Sequence, residues 1–267
     1  MGTLRASLHP CGMARPTESI PLFDYQTHDL TGRGVIVTGG TTGIGRAIAI
    51  QLAADRCHVL ICGRHRREMN DSLRDLRKVS ESVFGVIADM AEQRGVGKLF
   101  RESDRRLPSL DILVANAGLA AEKTADLDYR EIDYVIRTNV TGYLACAHEA
   151  IARMRRRKRG HIVLIGSMSA VSRRGSSVYT ASKSAIQGYA EALGKEVADF
   201  GIKVTLIEPG AVGADMQPNP RTHAKKAERG EMLKAEDIAA MVRYCLVQPP
   251  RCDVIRVDIR PHEQKKT

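Results

Sequence analysis

Val35-Ile36-Val37-Thr38-Gly39-Gly40-Thr41-Thr42-Gly43-Ile44-Gly45 is the stretch that decides the fold of this chain. An apolar run passes directly into a glycine-rich loop, and a helical stretch opens near Thr42. Gly39 permits a tight turn after the strand. Gly43 permits close approach of a pyrophosphate to the backbone, and Gly45 lets the following helix pack tightly on the sheet. The first turn of that helix offers N–H groups and the positive end of its dipole to phosphate. The spacing is GxxxGxG rather than GxGxxG, but the strand before it and the helix after it are the context that a dinucleotide cradle requires.

Working outward, further apolar runs at 58–62, 83–88, 112–115, 161–167, 203–208 and 254–259 join the run at 34–38 as expected strands. They read as strands buried on both faces. Amphipathic helices are expected to start near Thr42, Arg66, Ala91, Tyr129, Val140, Val178 and Ala235. Alternating β and α elements imply a doubly wound (Rossmann) α/β fold, with one parallel sheet of about seven strands covered on both sides. Residues 1–30 show no sustained periodicity and are expected to be a mobile extension; residues 31–267 form a single domain. On the helix from Val178, Tyr179, Lys183, Ile186, Ala190, Leu193 and Val197 share a face. Val140, Tyr143, Ala147, Ile151 and Met154 form a matching stripe on the helix before it. The small residues Ala181, Ala185, Ala190 and Ala192 suit a contact between subunits.

Composition narrows the class. A chain of 267 residues with 43% hydrophobic and 27% charged content is globular. It has no stretch approaching the ~20 apolar residues of a membrane span, and the first twenty residues lack the apolar core of a signal peptide. A cytoplasmic location is expected. The six cysteines include no CxxC pair, so reduced thiols are expected rather than disulfides or a metal site. The net charge of +10 is concentrated at 153–159, where Met154 is the one uncharged residue. This run closes a helix, where cations oppose the negative end of the dipole. Without interleaved aromatics it reads as a solvated surface rather than a nucleic-acid groove.

A second motif, Tyr179-Thr180-Ala181-Ser182-Lys183, places a phenol and an ammonium one helical turn apart. A tyrosine titrates near pKa ~10, and a neighbouring ammonium is expected to lower that value. Ser167 ends a buried strand, which aims it at the carboxyl edge of the sheet. At the end of the second strand the chain reads Ile61-Cys62-Gly63-Arg64-His65-Arg66-Arg67, with no acid before Glu68. An acid there would accept the adenosine ribose and repel a 2′-phosphate, whereas Arg64 can pair with that phosphate.

These motifs, taken in order, resemble the short-chain dehydrogenase/reductase family from about Gly32 to Pro261. The resemblance also includes Asp89, Asn116-Ala117-Gly118, Thr138-Asn139-Val140-Thr141-Gly142, Ile165-Gly166-Ser167 and Pro209-Gly210-Ala211-Val212. It implies a catalytic set of Asn139, Ser167, Tyr179 and Lys183. Ser167 would bond the substrate oxygen and Tyr179 would exchange its proton. Lys183 would hold the nicotinamide ribose, and Asn139 would anchor a water in a proton relay. The implied cofactor contacts are Gly39, Thr41, Gly43, Ile44 and Gly45 in the loop, Arg64, and Asp89 with the backbone of Met90 at the adenine. Asn116, Ala117 and Gly118, Tyr179, Lys183, Pro209, Gly210 and the backbone near Val212 complete the set. The chain departs from the family at Ala115, where an asparagine is common, and at Ala214, where a threonine commonly bonds the cofactor.

The expected function is NADP-dependent interconversion of an alcohol with a ketone or aldehyde, with NAD as the alternative cofactor and no metal. A weaker similarity at 234–261 to serine or hydroxy-acid 3-dehydrogenases hints at a 3-hydroxy acid substrate. Residues 215–233 would form a substrate lid, and the family habit implies a homotetramer. The competing reading is an NADP(H)-binding sensor or structural protein without turnover.

Overall fold

Val35, Val37, Val59, Ile61 and Val114 face one side of a sheet, and Ile36, Leu60, Leu113 and Leu164 face the other. Alternate side chains leave a strand on opposite sides, so a run that is apolar throughout must be covered twice. The computed structural model, which describes residues 27–213 and 225–263, shows that arrangement. The strands are β1 (Gly34–Thr38), β2 (His58–Gly63), β3 (Val83–Ile87), β4 (Ile112–Ala115), β5 (Gly160–Ile165), β6 (Ile202–Pro209) and β7 (Arg256–Ile259). They form one seven-stranded sheet in the order β3-β2-β1-β4-β5-β6-β7, with every pair parallel.

The helices α1 (Gly43–Ala54), α2 (Arg66–Leu76), α3 (Gln93–Arg106), α4 (Tyr129–Ile136), α5 (Gly142–Met154), α6 (Met168–Ser172), α7 (Ser177–Val197) and α8 (Ala235–Leu246) connect and flank the strands. One face of the sheet packs against Ile48 and Leu52 of α1, Met69 of α2, and Ile238 and Val242 of α8. The other face packs against Phe100 of α3, Tyr143 and Met154 of α5, and Ile186 and Leu193 of α7. Strand order reverses between β1 and β4, and the crevice at that reversal is where open α/β sheets place ligands.

Most boundaries match the reading of the sequence; the differences have local causes. The fifth strand stops at Ile165 because Ser167 leaves it to cap α6, where its side chain accepts from the Ser169 N–H. The helix expected near Val140 begins at Gly142, because Arg137–Thr141 form a π-helical turn joining α4 to α5. Ala190 is buried in its own subunit's core, so it cannot serve a contact between subunits. Ala181, Ala185 and Ala192 do face solvent, along with Gly188.

Two expectations about the edges of the domain also change. The His28 N–H bonds Val247 O at 2.8 Å, and Leu30 is buried, with its carbonyl accepting from Cys57. Residues 28–30 therefore belong to the body and not to an extension; residues 1–26 lie outside those described, as do Ala214 and the lid segment 214–224. The basic run is only partly a solvated surface. Arg153 binds Asp104 and Glu149, while Arg157 and Arg159 converge with Arg33 on Oδ1 of Asp111 at 3.1–3.4 Å. Asp111 is 4% exposed, and its Oδ2 accepts from Gly34 N–H and Ser109 Oγ. Burial alone would push the Asp111 carboxyl up. The Ser109 and Gly34 hydrogen bonds and the arginines outweigh it, holding the group below its ordinary value. Cys57, Cys62, Cys146 and Cys245 are buried free thiols, and burial raises the pKa of each.

Candidate active site

The glycine loop sits at the carboxyl end of β1. Gly39 has φ +65° and Gly43 φ +51°, a left-handed backbone that a side chain would strain. A Cβ on Gly45 would lie 2.2 Å from the Gly39 carbonyl and 2.4 Å from Asn116 Nδ2. Gly45 is thus required so that the loop can fold back onto its own helix, a closer constraint than packing on the sheet. Asn116 Nδ2 donates to the carbonyls of Thr38 and Gly39, and Thr38 Oγ1 accepts from the N–H groups of Asn116 and Ala117. Asn116 therefore braces the loop, as does Thr38, which the sequence motif does not single out. Ala115, despite the departure there, pairs in register with Leu164, and β4 is continuous. Thr41 packs over Gly63, and Ile44 packs against the core beneath α1. No acid lies in the first turn of α1. This cradle of tight glycines before a helix N-terminus fits the pyrophosphate of a dinucleotide.

At the end of β2, Arg64 is exposed and donates to the Tyr134 hydroxyl, with its guanidinium 5.5 Å from the centre of the Tyr134 ring. Tyr134 in turn donates to Asp89 Oδ2 at 2.6 Å, and Asp89 Oδ1 accepts from Ala91 N–H. Burial and the Asp89 carboxylate both raise the Tyr134 pKa, which keeps its proton in this chain of bonds. Met90 is buried, with its sulfur 3.7 Å from that of Cys146, so only its backbone is left for a ligand. Tyr134 joins this candidate site without being part of the motif, because α4 carries it from elsewhere in the chain.

The residues expected to react gather beyond β4 and β5. Lys183 Nζ donates to Ile165 O at 2.8 Å and to Tyr143 OH at 3.4 Å, and it lies 5.9 Å from the centre of the Tyr179 ring. Burial lowers the Lys183 pKa to about 8. The expectation for Tyr179 is reversed here. Burial raises its pKa, and a hydrogen bond with Ser167 only partly opposes this. Desolvating a phenolate costs more than the neighbouring groups return. Tyr179 therefore keeps its proton at neutral pH.

Asn139 is fully buried, and its side-chain amide is engaged at both ends. Oδ1 accepts from Leu119 N–H at 2.7 Å, and Nδ2 donates to Leu119 O and Ser182 Oγ. A relay role for Asn139 would fall to its main chain, which lies in the π turn where Gly142 N–H reaches back to Arg137 O. Gly118 is adjacent: a Cβ there would meet Asn139 Oδ1 at 3.4 Å and Lys183 Nζ at 3.7 Å. Ser167 has its N–H held by the Glu208 carboxylate, and its Oγ accepts from Ser169 N–H at 3.1 Å. The motif does not include Glu208 either.

Pro209 ends β6, and Gly210 N–H bonds Ile259 O at 2.7 Å. Val212 forms a bridge with Leu233 through the Ala211 carbonyl and the Gly213 N–H, while its side chain joins the core. Lys225 and Lys226 of the expected lid are exposed. Among the described residues, no helix is long and apolar enough to cross a membrane.

Known proteins share the family and the fold of this chain. The family model described as short chain dehydrogenase matches residues 33–225. An uncharacterized oxidoreductase of Staphylococcus aureus is 32% identical over 234 residues, covering 87% of this chain and 98% of that protein. A short chain dehydrogenase of Burkholderia cenocepacia, solved in complex with NADP, is 31% identical with a TM-score of 0.76; the match covers 87% of this chain and 98% of that one. A short-chain dehydrogenase/reductase of Serratia marcescens is 27% identical with a TM-score of 0.75, over 87% and 98% of the two chains.

Proposed function

The chain belongs to the short chain dehydrogenase family of oxidoreductases, and from that membership we propose that it interconverts an alcohol with a ketone or aldehyde using NADP(H). The observation that carries this reading is the meeting of Tyr179 with Ser167, to which it is hydrogen-bonded, and with the Lys183 ammonium 5.9 Å from the centre of its ring. When bound, the nicotinamide supplies or accepts the hydride. The residues of the chain manage the proton and the geometry. Ser167 donates its hydroxyl hydrogen to the substrate oxygen and holds it next to the Tyr179 hydroxyl. In the reductive direction, Tyr179 gives its proton to that oxygen as negative charge develops there. The Lys183 ammonium, fixed by Ile165 and Tyr143, stabilises the resulting phenolate.

The choice of NADP over NAD rests on Arg64, on the absence of a carboxylate at the end of β2, and on the NADP complex of the Burkholderia relative. A bidentate guanidinium suits a 2′-phosphate. Within this reading the substrate is a small carbonyl or alcohol, with a 3-hydroxy acid as the narrower class. The enzyme is a cytoplasmic homotetramer joined through the faces of α5 and α7, and the body from Thr27 onward carries the activity. The test is NADPH oxidation measured across a panel of ketones, aldehydes and 3-keto acids. Tight NADPH binding with no oxidation of any member would instead indicate a cofactor-binding protein without turnover.

A further inference from the structure

Glu208, at the end of β6, is 0% exposed and reaches the backbone of Ser167. One carboxylate oxygen, Oε2, accepts from the Ser167 N–H. The other, Oε1, is buried without a hydrogen-bond partner among the described residues. A buried, half-satisfied carboxylate is costly and needs a reason. Room has been made for it: a Cβ on Gly166 would lie 2.2 Å from Oε2, so the chain keeps a glycine beside the catalytic serine where the acid enters. The two remaining attachments of Ser167 leave little freedom. Its N–H is tied to Glu208 and its Oγ lone pair to Ser169 N–H, so the hydroxyl hydrogen is the part left to point at Tyr179 or a substrate.

We propose that Glu208 is a positioning residue for the reaction: its carboxylate straps the Ser167 amide so that the Ser167 hydroxyl is aimed at Tyr179, and its buried negative charge sets the charge balance of the Tyr179–Lys183 pair. This rests on the alcohol–carbonyl reading of the site. The groups facing Glu208 are the Ser167 amide from the β5–α6 junction, Tyr179 and Lys183 from α7, and Arg256 and Asp258 from β7. Burial raises the Glu208 carboxyl above its ordinary value, opposed by the Ser167 N–H, Arg256 and Lys183; in its ionised form it favours the Lys183 ammonium and disfavours the Tyr179 phenolate. Removing the charge therefore moves the titration of both groups to lower pH.

Two variants separate the strap from the charge. Glu208→Gln keeps an oxygen for the Ser167 N–H and loses the charge; Glu208→Asp keeps the charge and withdraws it from the amide by one methylene. In carbonyl reduction, Glu208→Gln should shift the alkaline limb of the kcat/KM profile downward by about one pH unit. Glu208→Asp should leave that limb in place and lower kcat roughly tenfold through misplacement of Ser167. Adding Ser167→Ala to Glu208→Asp should cost less than Ser167→Ala alone, because both act on the same hydroxyl. NADPH dissociation constants, read by binding, should stay at the wild-type value in both variants. Should either variant fail to fold, the other still decides its own half. A folded Glu208→Gln with the wild-type limb overturns the charge role, and a folded Glu208→Asp with wild-type kcat, or full additivity with Ser167→Ala, overturns the strap. Tyr179→Phe is the control: retained turnover there would remove the alcohol–carbonyl reading itself, whatever Glu208 does.

Discussion

Arg64 donates to the phenol oxygen of Tyr134, which donates in turn to Asp89 at 2.6 Å. One tyrosine thus connects the residue proposed for the 2′-phosphate with the residue proposed for the adenine. Arg64→Ala should weaken NADPH by about 1.5–3 kcal/mol, or roughly one to two decades, and NADH far less. Tyr134→Phe keeps the ring under the guanidinium but leaves Arg64 unordered. Restoring that order costs about 0.5–1.5 kcal/mol, so NADPH should weaken roughly two- to tenfold. Dissociation constants for both nucleotides check the pair. Equal losses for NADPH and NADH in Arg64→Ala would reduce Arg64 to a surface arginine.

Tyr179→Phe should lower kcat by ~10²–10⁴-fold, the usual loss on removing a general acid, while NADPH still binds. Steady-state turnover and a separate binding titration check it. Near wild-type kcat would exclude Tyr179 as the proton donor.

The pH dependence follows from two burial effects of opposite chemistry. Tyr179 is raised and stays protonated through the neutral range, so it does not limit reduction there. Lys183 is lowered to about 8 and loses its proton as pH rises through that value. Reductive kcat/KM should therefore be level below about pH 8 and decline above it. A profile that is flat into the range of an ordinary lysine would show that the Lys183 charge plays no part.

Much of the fold was legible because burial on both faces leaves continuous apolar runs, and β1 and β4 fall within the bounds read from the sequence. The glycine loop, Ser167 and the Tyr179–Lys183 pair were legible because each depends on local spacing. Glu208, Tyr134, Tyr143 and Thr38 were not. Each acts on a partner brought in from another element: Thr38 on Asn116 lies 78 residues away, and Tyr134 on Asp89 lies 45 residues away. No local spacing encodes such pairs. The rise in the Tyr179 pKa was missed for a related reason. Adjacency of an ammonium can be read from sequence, but the depth of burial that outweighs it cannot.

Asp111 is the point at which three guanidiniums meet. Asp111→Asn should destabilise the fold by about 2–3 kcal/mol, below the ~3–5 kcal/mol of a fully buried pair because the arginines reach solvent. The folded pKa is depressed below the ordinary 3.8, so the contribution is present above that value and is lost as pH falls through the folded pKa. Urea unfolding of both proteins should show a gap at neutral pH that closes in acid. A gap that persists in strong acid would assign the effect to packing.

Ala185, Gly188 and Ala192 form an exposed small-residue strip on α7. If α7 meets a second copy there, Ala185→Arg should yield a smaller species by light scattering at micromolar concentration. An unchanged mass would move the interface elsewhere.

Every strand pair in the sheet is parallel, so no pair can arise from a hairpin, and each must wait for a crossover to close. The pairing of β1 with β4 is the demanding one: it spans the whole first half of the domain, as the 78-residue reach from Thr38 to Asn116 shows. Closing so long a loop costs entropy before any contact offsets it, and such long-range parallel pairing slows folding. The crevice proposed for the cofactor lies at that same junction, so it does not exist until the two halves have joined. A ligand bound there acts on the finished molecule: it lengthens the lifetime of the native state without guiding the chain towards it.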